Sequence, residues 1–140
     1  MIIKSFKFHH IGIATRNLAK TKKIFEGLGL TMSEMIPVPG QKVNVCFSRD
    51  VDHPSIELVE PAADDSPVNN FLDKVGSSPY HLCYETPDLD LAIPFLRKHG
   101  FLLISEPSPS IALDDNRICF CYHNKIGLIE IVETKSKPEE

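Results

Sequence analysis

The sequence of 140 residues lacks the features of several specialised protein classes. It has no apolar run long enough to cross a membrane as a helix, and residues 1–7 contain no apolar core of a signal peptide. Its net charge is −4, and its lysines and arginines form no basic stripe, which argues against a nucleic-acid partner. We therefore expect a cytoplasmic protein that binds neither membrane nor nucleic acid.

Cysteine is also scarce, and none of the four has the C-x-x-C spacing of a zinc–thiolate site. Cys119 and Cys121 lie two apart on a predicted strand, where they share a face and are poorly placed to form a disulfide. A globule of this size can bury enough surface to fold without disulfides. We expect these two, together with Cys46 and Cys83, to be reduced and buried as small apolar residues.

The chain is organised as an internal repeat. The sequence IELVE at 56–60 recurs as IEIVE at 129–133, which is 73 positions later. Two more segment pairs follow the same repeat: HIGIATRNL at 10–18 with HLCYETPDL at 81–89, and VCF at 45–47 with ICF at 118–120. Each half therefore begins with a strand that carries a histidine and ends with a strand that carries a glutamate.

Each half is predicted to have the order β-α-β-β-β, because alternating segments indicate strands and 3–4 spacing indicates helices. The predicted strands are 6–14, 30–37, 42–48, 55–60, 80–85, 101–105, 116–122 and 127–133, and the predicted helices are 18–28, 67–75 and 89–99. We expect an α+β fold in which two tandem modules form one curved eight-stranded mixed sheet, with a central cleft and helices outside. Residues 1–140 are predicted to form a single domain, with modules at about 6–60 and 80–134 and a linker with a short helix at 61–79.

Four residues occupy matched positions in the two halves and are candidate metal ligands. They are His10, Glu57, His81 and Glu130, and all four fall on predicted strands. A single histidine on a strand is more often structural and a single glutamate is usually solvated, but two matched pairs favour a shared role. Two imidazoles and two carboxylates suit a divalent ion such as Ni, Co, Zn, Mn or Fe, and a metal would explain buried carboxylates.

The remaining glutamates and histidines near these positions are predicted to be ordinary surface residues. Glu60 and Glu133 lie on the opposite strand faces from the candidate ligands, so we expect them to be solvated. His53, His99 and His123 fall in loops or at a helix end, and we expect them at the surface.

The chain resembles the vicinal oxygen chelate superfamily, which includes glyoxalase I, methylmalonyl-CoA epimerase, extradiol dioxygenases and bleomycin-resistance proteins. The resemblance covers about residues 6–134. It is carried by HHIGIA at 9–14, IELVEP at 56–61, DSPV at 65–68 and YHLCYE at 80–85, which are similar to methylmalonyl-CoA epimerase in sequence and spacing. Glyoxalase I uses a His/Glu/His/Glu ligand set, which corresponds here to the four candidate ligands.

The resemblance implies a metal-dependent enzyme that moves a proton next to a metal-bound carbonyl. Two departures from the epimerases favour a glyoxalase I-type lyase: residues 109–116 contain no glycine, and 123–125 read His-Asn-Lys where epimerases tend to have His-Pro-Lys. A methylmalonyl-CoA epimerase-type isomerase is the alternative. Either reaction needs a carboxylate base, for which we favour Glu130 over Glu57. Further alternatives are an Fe(II) dioxygenase, a metal-free drug-binding resistance protein and a thiol transferase.

Substrate recognition is predicted to involve basic residues and a second copy of the chain. A hemithioacetal or thioester substrate would carry glutathione or coenzyme A, and the candidates for binding it are Arg16, Arg97, Arg117 and Lys125. We expect a homodimer. Members of the superfamily place the site either within one chain or across the dimer interface, and both arrangements stay open here.

Overall fold

The computed structural model describes residues 6–134 of the chain. The absence of a signal peptide was predicted from residues 1–7, and the first five of these lie outside the described residues. Between 6 and 134 the chain divides into two compact units. We call residues 10–80 the first half, and residues 6–9 together with 81–134 the second half. Within the same range no helix is long and apolar enough to span a membrane.

The first half contains a four-stranded sheet and two helices. Its elements are β1 (Lys7–Ala14, which begins in the second half), α1 (Leu18–Gly27), β2 (Ile36–Val38), β3 (Val43–Phe47), β4 (Ile56–Pro61) and α2 (Pro67–Val75). The strands are ordered β2-β3-β4-β1, and β1 is parallel to β4 whereas the other pairs are antiparallel. Helix α2 begins at the Ser66-Pro67 pair, as the sequence predicts.

The second half repeats this plan. Its elements are β5 (Ser78–Thr86, which begins in the first half), α3 (Leu89–Lys98), β6 (Leu102–Leu103), β7 (Ser108–Pro109), β8 (Arg117–His123) and β9 (Gly127–Glu133). The strands are ordered β5-β9-β8-β6, and β7 also pairs with β8. Strand β5 is parallel to β9, as β1 is to β4, so the repeat in the sequence is a repeat in structure.

The described residues contain nine strands instead of the predicted eight, because a segment predicted as loop forms β7. Strand β7 has only two residues, and one of them is Pro109, which has no N–H to donate and is tolerated at a sheet edge. The predicted strand at 30–37 is also shorter, since only Ile36–Val38 forms a strand and Met32 makes an isolated bridge to Ser48. Such short pairings leave no alternating pattern to recognise.

Each half has its own apolar cluster between its sheet and its long helix. In the first half Leu18 of α1 packs with Met32, Cys46 and Leu58. The second-half cluster consists of Leu89, Leu96, Cys119, Cys121, Ile129 and Ile131. All four cysteines are buried and free of disulfides, as the sequence predicts.

The expectation that Glu60 and Glu133 are solvated is wrong. Leu18 donates its backbone N–H to Glu60 Oε2 at 3.0 Å, and Leu89 donates to Glu133 Oε2 at 2.9 Å. The first N–H groups of a helix have no partner within the helix, and a carboxylate there also interacts favourably with the helix dipole. Both glutamates do lie on the opposite strand faces from the candidate ligands. Each therefore accepts a hydrogen bond from the first residue of a helix, Glu60 from α1 and Glu133 from α3.

Candidate functional site

The first half holds one buried histidine–glutamate pair. His10 lies on β1 and Glu57 on β4, and Nε2 of His10 is 3.3 Å from Oε1 of Glu57. The histidine is fully buried and the glutamate is 6% exposed. In the parallel ladder Gly12 lies opposite Glu57, so the histidine stands two residues before the partner of the glutamate and on the same face.

The second half holds an equivalent pair. His81 lies on β5 and Glu130 on β9, with Nε2 again 3.3 Å from Oε1, and both residues are buried. Cys83 lies opposite Glu130 in the ladder, so this histidine also stands two residues before the partner of its glutamate. The two pairs thus have the same strand register. The two halves therefore share the geometry of the pair as well as its residue types.

A phenylalanine ring contacts the imidazole of each pair, and this contact was not predicted from the sequence. The ring of Phe47 lies edge-on to that of His10, with centroids 5.4 Å apart and an angle of 81°. The ring of Phe120 lies likewise against His81, at 5.6 Å and 85°. Both phenylalanines stand directly across the antiparallel ladder from the glutamate of their pair. The repeated VCF and ICF segments were the available signal, since they place an aromatic residue at the same position in each half.

The geometry of each pair fits two ligands of one metal ion. Charge-assisted N–H···O hydrogen bonds are usually about 2.7–2.9 Å long, so 3.3 Å is long for such a bond. Two ligand atoms that each bind an ion at about 2.1 Å are about 3.0–3.4 Å apart at octahedral or tetrahedral angles. Burial of a carboxylate also requires compensation by charge or hydrogen bonds, which a divalent cation supplies. One ring nitrogen and one carboxylate oxygen per half make a mixed donor set.

Two of the four basic residues predicted to bind substrate form ion pairs. Arg16 pairs with Asp73 of α2 in the first half. Arg117 donates from Nε and Nη2 to the two carboxylate oxygens of Glu133, at 3.0 and 2.8 Å, and reaches Asp90 at 3.3 Å. The hydrogen bonds that Arg117 donates to Glu133, and then the one to Asp90, raise the pKa of Arg117 above its already high ordinary value. Arg117 therefore holds in place the carboxylate of Glu133, which accepts the backbone N–H at the start of α3.

The other two basic candidates are exposed. Arg97 lies in the last turn of α3. Lys125 lies in the turn between β8 and β9, where its backbone N–H donates to Nδ1 of His123.

Comparison with known families and proteins agrees with this arrangement. A family model described as "Glyoxalase/Bleomycin resistance protein/Dioxygenase superfamily" matches residues 9–120. The mitochondrial methylmalonyl-CoA epimerase of Dictyostelium discoideum is 29% identical over 131 residues, which cover 91% of this chain and 78% of that protein. The uncharacterized protein YqjC of Bacillus subtilis is 37% identical and covers 92% of this chain and 93% of its own. The ethylmalonyl-CoA/methylmalonyl-CoA epimerase of Cereibacter sphaeroides is 26% identical, with coverage of 83% and 87%.

Solved structures give the same result. A hypothetical protein from Bacillus halodurans, BH1468, superposes with a TM-score of 0.83 at 28% identity and covers 98% of this chain and all of its own. The methylmalonyl-CoA epimerase of Mycobacterium tuberculosis superposes at 0.80, with 27% identity and coverage of 97% and 94%. A methylmalonyl-CoA epimerase in complex with methylmalonyl-CoA and NH4+ superposes at 0.77, with 25% identity and coverage of 94% and 96%. The predicted fold class is confirmed, apart from the extra strand.

These relatives favour the epimerase alternative over the glyoxalase I-type lyase that the sequence analysis placed first. The two departures that led to that order lie in connecting segments. All of residues 109–116 except Pro109 join β7 to β8 through a 3₁₀ turn. His123 is the last residue of β8, and residues 124 and 125 lie in the turn before β9. Connecting segments vary more than the elements they join, so differences there carry little weight against similarity over most of the chain.

Proposed function

Because the chain belongs to the glyoxalase/bleomycin resistance protein/dioxygenase superfamily, we propose that it is an isomerase of the methylmalonyl-CoA epimerase type. Such an enzyme inverts the carbon next to a thioester carbonyl by removing a proton from one side and returning a proton to the other. The support is the similarity to named epimerases along most of the chain. The acyl-CoA thioester is the substrate class that follows.

His10, Glu57, His81 and Glu130 are proposed to hold one divalent metal ion together. The single observation that carries this proposal is the repeated pair: the same two residue types, at the same register and the same 3.3 Å separation, in both halves. Neither pair alone offers more than one nitrogen and one oxygen donor side chain. Such a mixed set accepts Ni, Co or Zn, and also Mn or Fe. When bound, the ion acts as a Lewis acid toward a carbonyl oxygen.

The glutamates have the chemistry that an inversion needs. Each half presents one buried glutamate, so one, as the carboxylate, can accept the proton from the reacting carbon while the other, in its protonated form, delivers its proton to the opposite side. We assign the role of base to Glu130, with Glu57 as its counterpart. The two phenylalanines cover one flank of each pair with apolar surface and reduce access of water to the carboxylates.

We expect the anionic carrier of the thioester to be bound by those of the four basic candidates that form no ion pair within the described part of the chain. Arg16 and Arg117 pair with carboxylates of their own halves. Arg97 and Lys125 are both exposed, and no acidic partner of either is found among residues 6–134. These two are therefore the candidates for contact with carrier phosphates. Homodimer formation stays a prediction.

The test is a panel of two reactions on protein loaded with Co(II) or Ni(II). With single-epimer methylmalonyl-CoA in deuterated water, we expect inversion together with incorporation of solvent deuterium at the carbon that bears the methyl group. The hemithioacetal of methylglyoxal and glutathione should give no turnover. Glu130→Gln should abolish inversion, and Glu26→Gln, an exposed position on α1, should not. Turnover of the hemithioacetal alone would restore the glyoxalase I-type assignment.

A further inference from the structure

The sheet of the second half carries a partly exposed apolar strip beside its histidine–glutamate pair. It consists of Phe120 and Tyr122 on β8 and of Leu102 and Ile104 at β6, and we call these four residues the apolar strip. Leu102, Ile104 and Tyr122 are 66%, 59% and 42% exposed. Single exposed apolar residues are common, but adjoining ones indicate a binding surface.

The strip lies on the same face of the sheet as Glu130. Ile129, Ile131, Cys121 and Leu103 belong to the apolar cluster under α3. Because side chains alternate along a strand, the residues between them point to the other face.

Cross-strand partners then make this face continuous. Phe120 stands opposite Glu130, and Tyr122 stands opposite Leu102. Ile104 continues the pairing of β6, since its N–H donates to the carbonyl of Phe120 at 2.8 Å. Adjacent strands are about 4.8 Å apart, so Ile104 lies about 10 Å from Glu130 across β8.

The first half shows that the fold does not require apolar residues at these positions. Ser33 donates its N–H to the carbonyl of Phe47 at 2.7 Å, just as Ile104 does to Phe120. The hydroxyl of Ser33, which accepts from the N–H of Phe47, has its counterpart in the hydroxyl of Ser105. Arg49 donates its N–H to the carbonyl of Thr31, which matches the pairing of Tyr122 with Leu102.

The same backbone pairing is thus built with Thr31, Ser33 and Arg49 in one half and with Leu102, Ile104 and Tyr122 in the other. Comparison of the two halves shows that this backbone pairing does not depend on apolar side chains. The apolar character of Leu102, Ile104 and Tyr122 is therefore specific to the second half, whereas Phe120 has its counterpart in Phe47.

We propose that the apolar strip binds an alkyl chain carried by the acyl group of the thioester substrate. This inference rests on the proposed function. Phe120 begins the strip and also contacts the ring of His81, so a chain that extends from a carbon held at the pair passes over Phe120 first. It would then reach Ile104 and the Leu102–Tyr122 pair. These four side chains carry no charge, which suits a saturated chain and disfavours a carboxylate.

The test compares binding of straight-chain acyl-CoA thioesters by calorimetry to protein loaded with Zn(II). The series runs from acetyl- through butyryl- and hexanoyl- to octanoyl-CoA. In the unmodified protein we expect affinity to rise along the series, by up to about fourfold per added methylene where the chain is fully buried. The double variant Leu102→Thr with Ile104→Ser transplants the residues of the first half and should flatten the series without loss of acetyl-CoA binding.

The matched control is Ile24→Ser with Leu91→Thr, which removes equally exposed apolar residues from α1 and α3 and should keep the full slope. A flat series in the unmodified protein, with acetyl-CoA still bound, overturns the inference and leaves the proposed function standing. An unchanged slope in the double variant also overturns it, and a simultaneous change of oligomeric state would assign the strip to a second copy of the chain. Failure of every thioester in this series to bind, acetyl-CoA included, also overturns the inference, whereas the proposed function is overturned only if methylmalonyl-CoA is not inverted.

Discussion

His10 and Glu57 meet across parallel strands with 3.3 Å between Nε2 and Oε1, and this relationship is copied at the same distance in the second half. The copy also includes the ladder register and the aromatic ring against the imidazole. Residues kept in this way in both halves are under the same geometric demand. The proposed metal ion would make that demand, because an ion fixes the directions of its ligands as well as their types.

We expect Phe47 and Phe120 to position the imidazoles for metal binding. Edge-to-face aromatic pairs contribute about 0.5–1.5 kcal/mol beyond burial, so loss of the ring contact should weaken Zn(II) binding by up to about tenfold. The substitutions are Phe47→Leu and Phe120→Leu, and the measurement is a competitive titration with a chelator. The absorption spectrum of the Co(II) form should also shift, which a purely structural defect would not cause.

Phe101→Leu is the control for these variants, because this ring contacts His123 instead of a candidate ligand. Equal loss of affinity in all three variants would show that the effect is general destabilisation and would contradict the positioning role.

Glu133 should contribute more to stability than Glu60, although each accepts a hydrogen bond from the first residue of a helix. Loss of the acceptor at a helix start costs about 1 kcal/mol. Glu133 in addition accepts two hydrogen bonds from Arg117, whereas Glu60 accepts one, at 3.3 Å, from Asn44. We predict a decrease in unfolding free energy of about 1 kcal/mol for Glu60→Ala and about 2–3 kcal/mol for Glu133→Ala, measured by urea denaturation. Glu26→Ala, at an exposed site on α1, should change it by less than about 0.5 kcal/mol. The reverse order would be inconsistent with this account.

The cysteines should be unreactive in the folded protein. Burial raises the pKa of the Cys46 and Cys119 thiols to about 11 and that of Cys121 to about 12, so almost none of their thiolate forms at pH 8. An aromatic disulfide reagent at this pH should label none of these three within minutes, and all four cysteines after denaturation in urea. Rapid labelling of any of the three without denaturant would show that its surroundings open.

His53 should stabilise the loop before β4 while its ring is protonated and should lose this contribution as pH rises. One ring nitrogen faces the carbonyl of Pro54 and the other faces Oδ2 of Asp50 at 3.3 Å. The Pro54 carbonyl and then Asp50 raise the pKa of His53 above its ordinary value of 6.5. A raised pKa in the folded state means that the stabilisation is fully present below pH 6.5 and is lost as pH rises through the folded pKa.

The pKa of Asp50 is lowered, chiefly by the backbone N–H of Thr31, so its contribution is lost at the acidic end instead. His53→Gln should therefore lower the melting temperature at pH 5.5 and leave it nearly unchanged at pH 9. Proton NMR titration of the ring gives the pKa directly, and a value below 6.5 would contradict this interpretation.

The sequence alone predicts the site because the chain repeats itself. A lone histidine on a strand such as β1 carries little information, but two matched histidines and two matched glutamates indicate a common role. Strand alternation also separates Glu57 from Glu60 correctly, since residues three apart point to opposite faces. These are local and periodic properties, and a single sequence records them.

Other features depend on contacts that no local pattern records. Glu60 reaches the start of α1 from 42 residues away, and the direction of its face gives no sign of that partner. The contact of Phe47 with His10 depends on side-chain rotation and on the pairing of β3 with β4. Strand β7 has two residues and includes a proline, so it lacks the alternation that defines a strand in sequence. The order of the two candidate reactions failed for a similar reason, because it relied on connecting segments.

Metal stoichiometry is the most direct test of the central claim that two matched pairs serve one ion. Protein stripped with a chelator and titrated with Co(II) should bind one ion per chain. Glu57→Gln in the first half and Glu130→Gln in the second should each weaken that binding by more than about tenfold, because each removes one ligand of the same ion. Glu60→Gln and Glu133→Gln should leave the affinity unchanged. Binding of two ions per chain, or an unchanged affinity when only one half is altered, would contradict the claim.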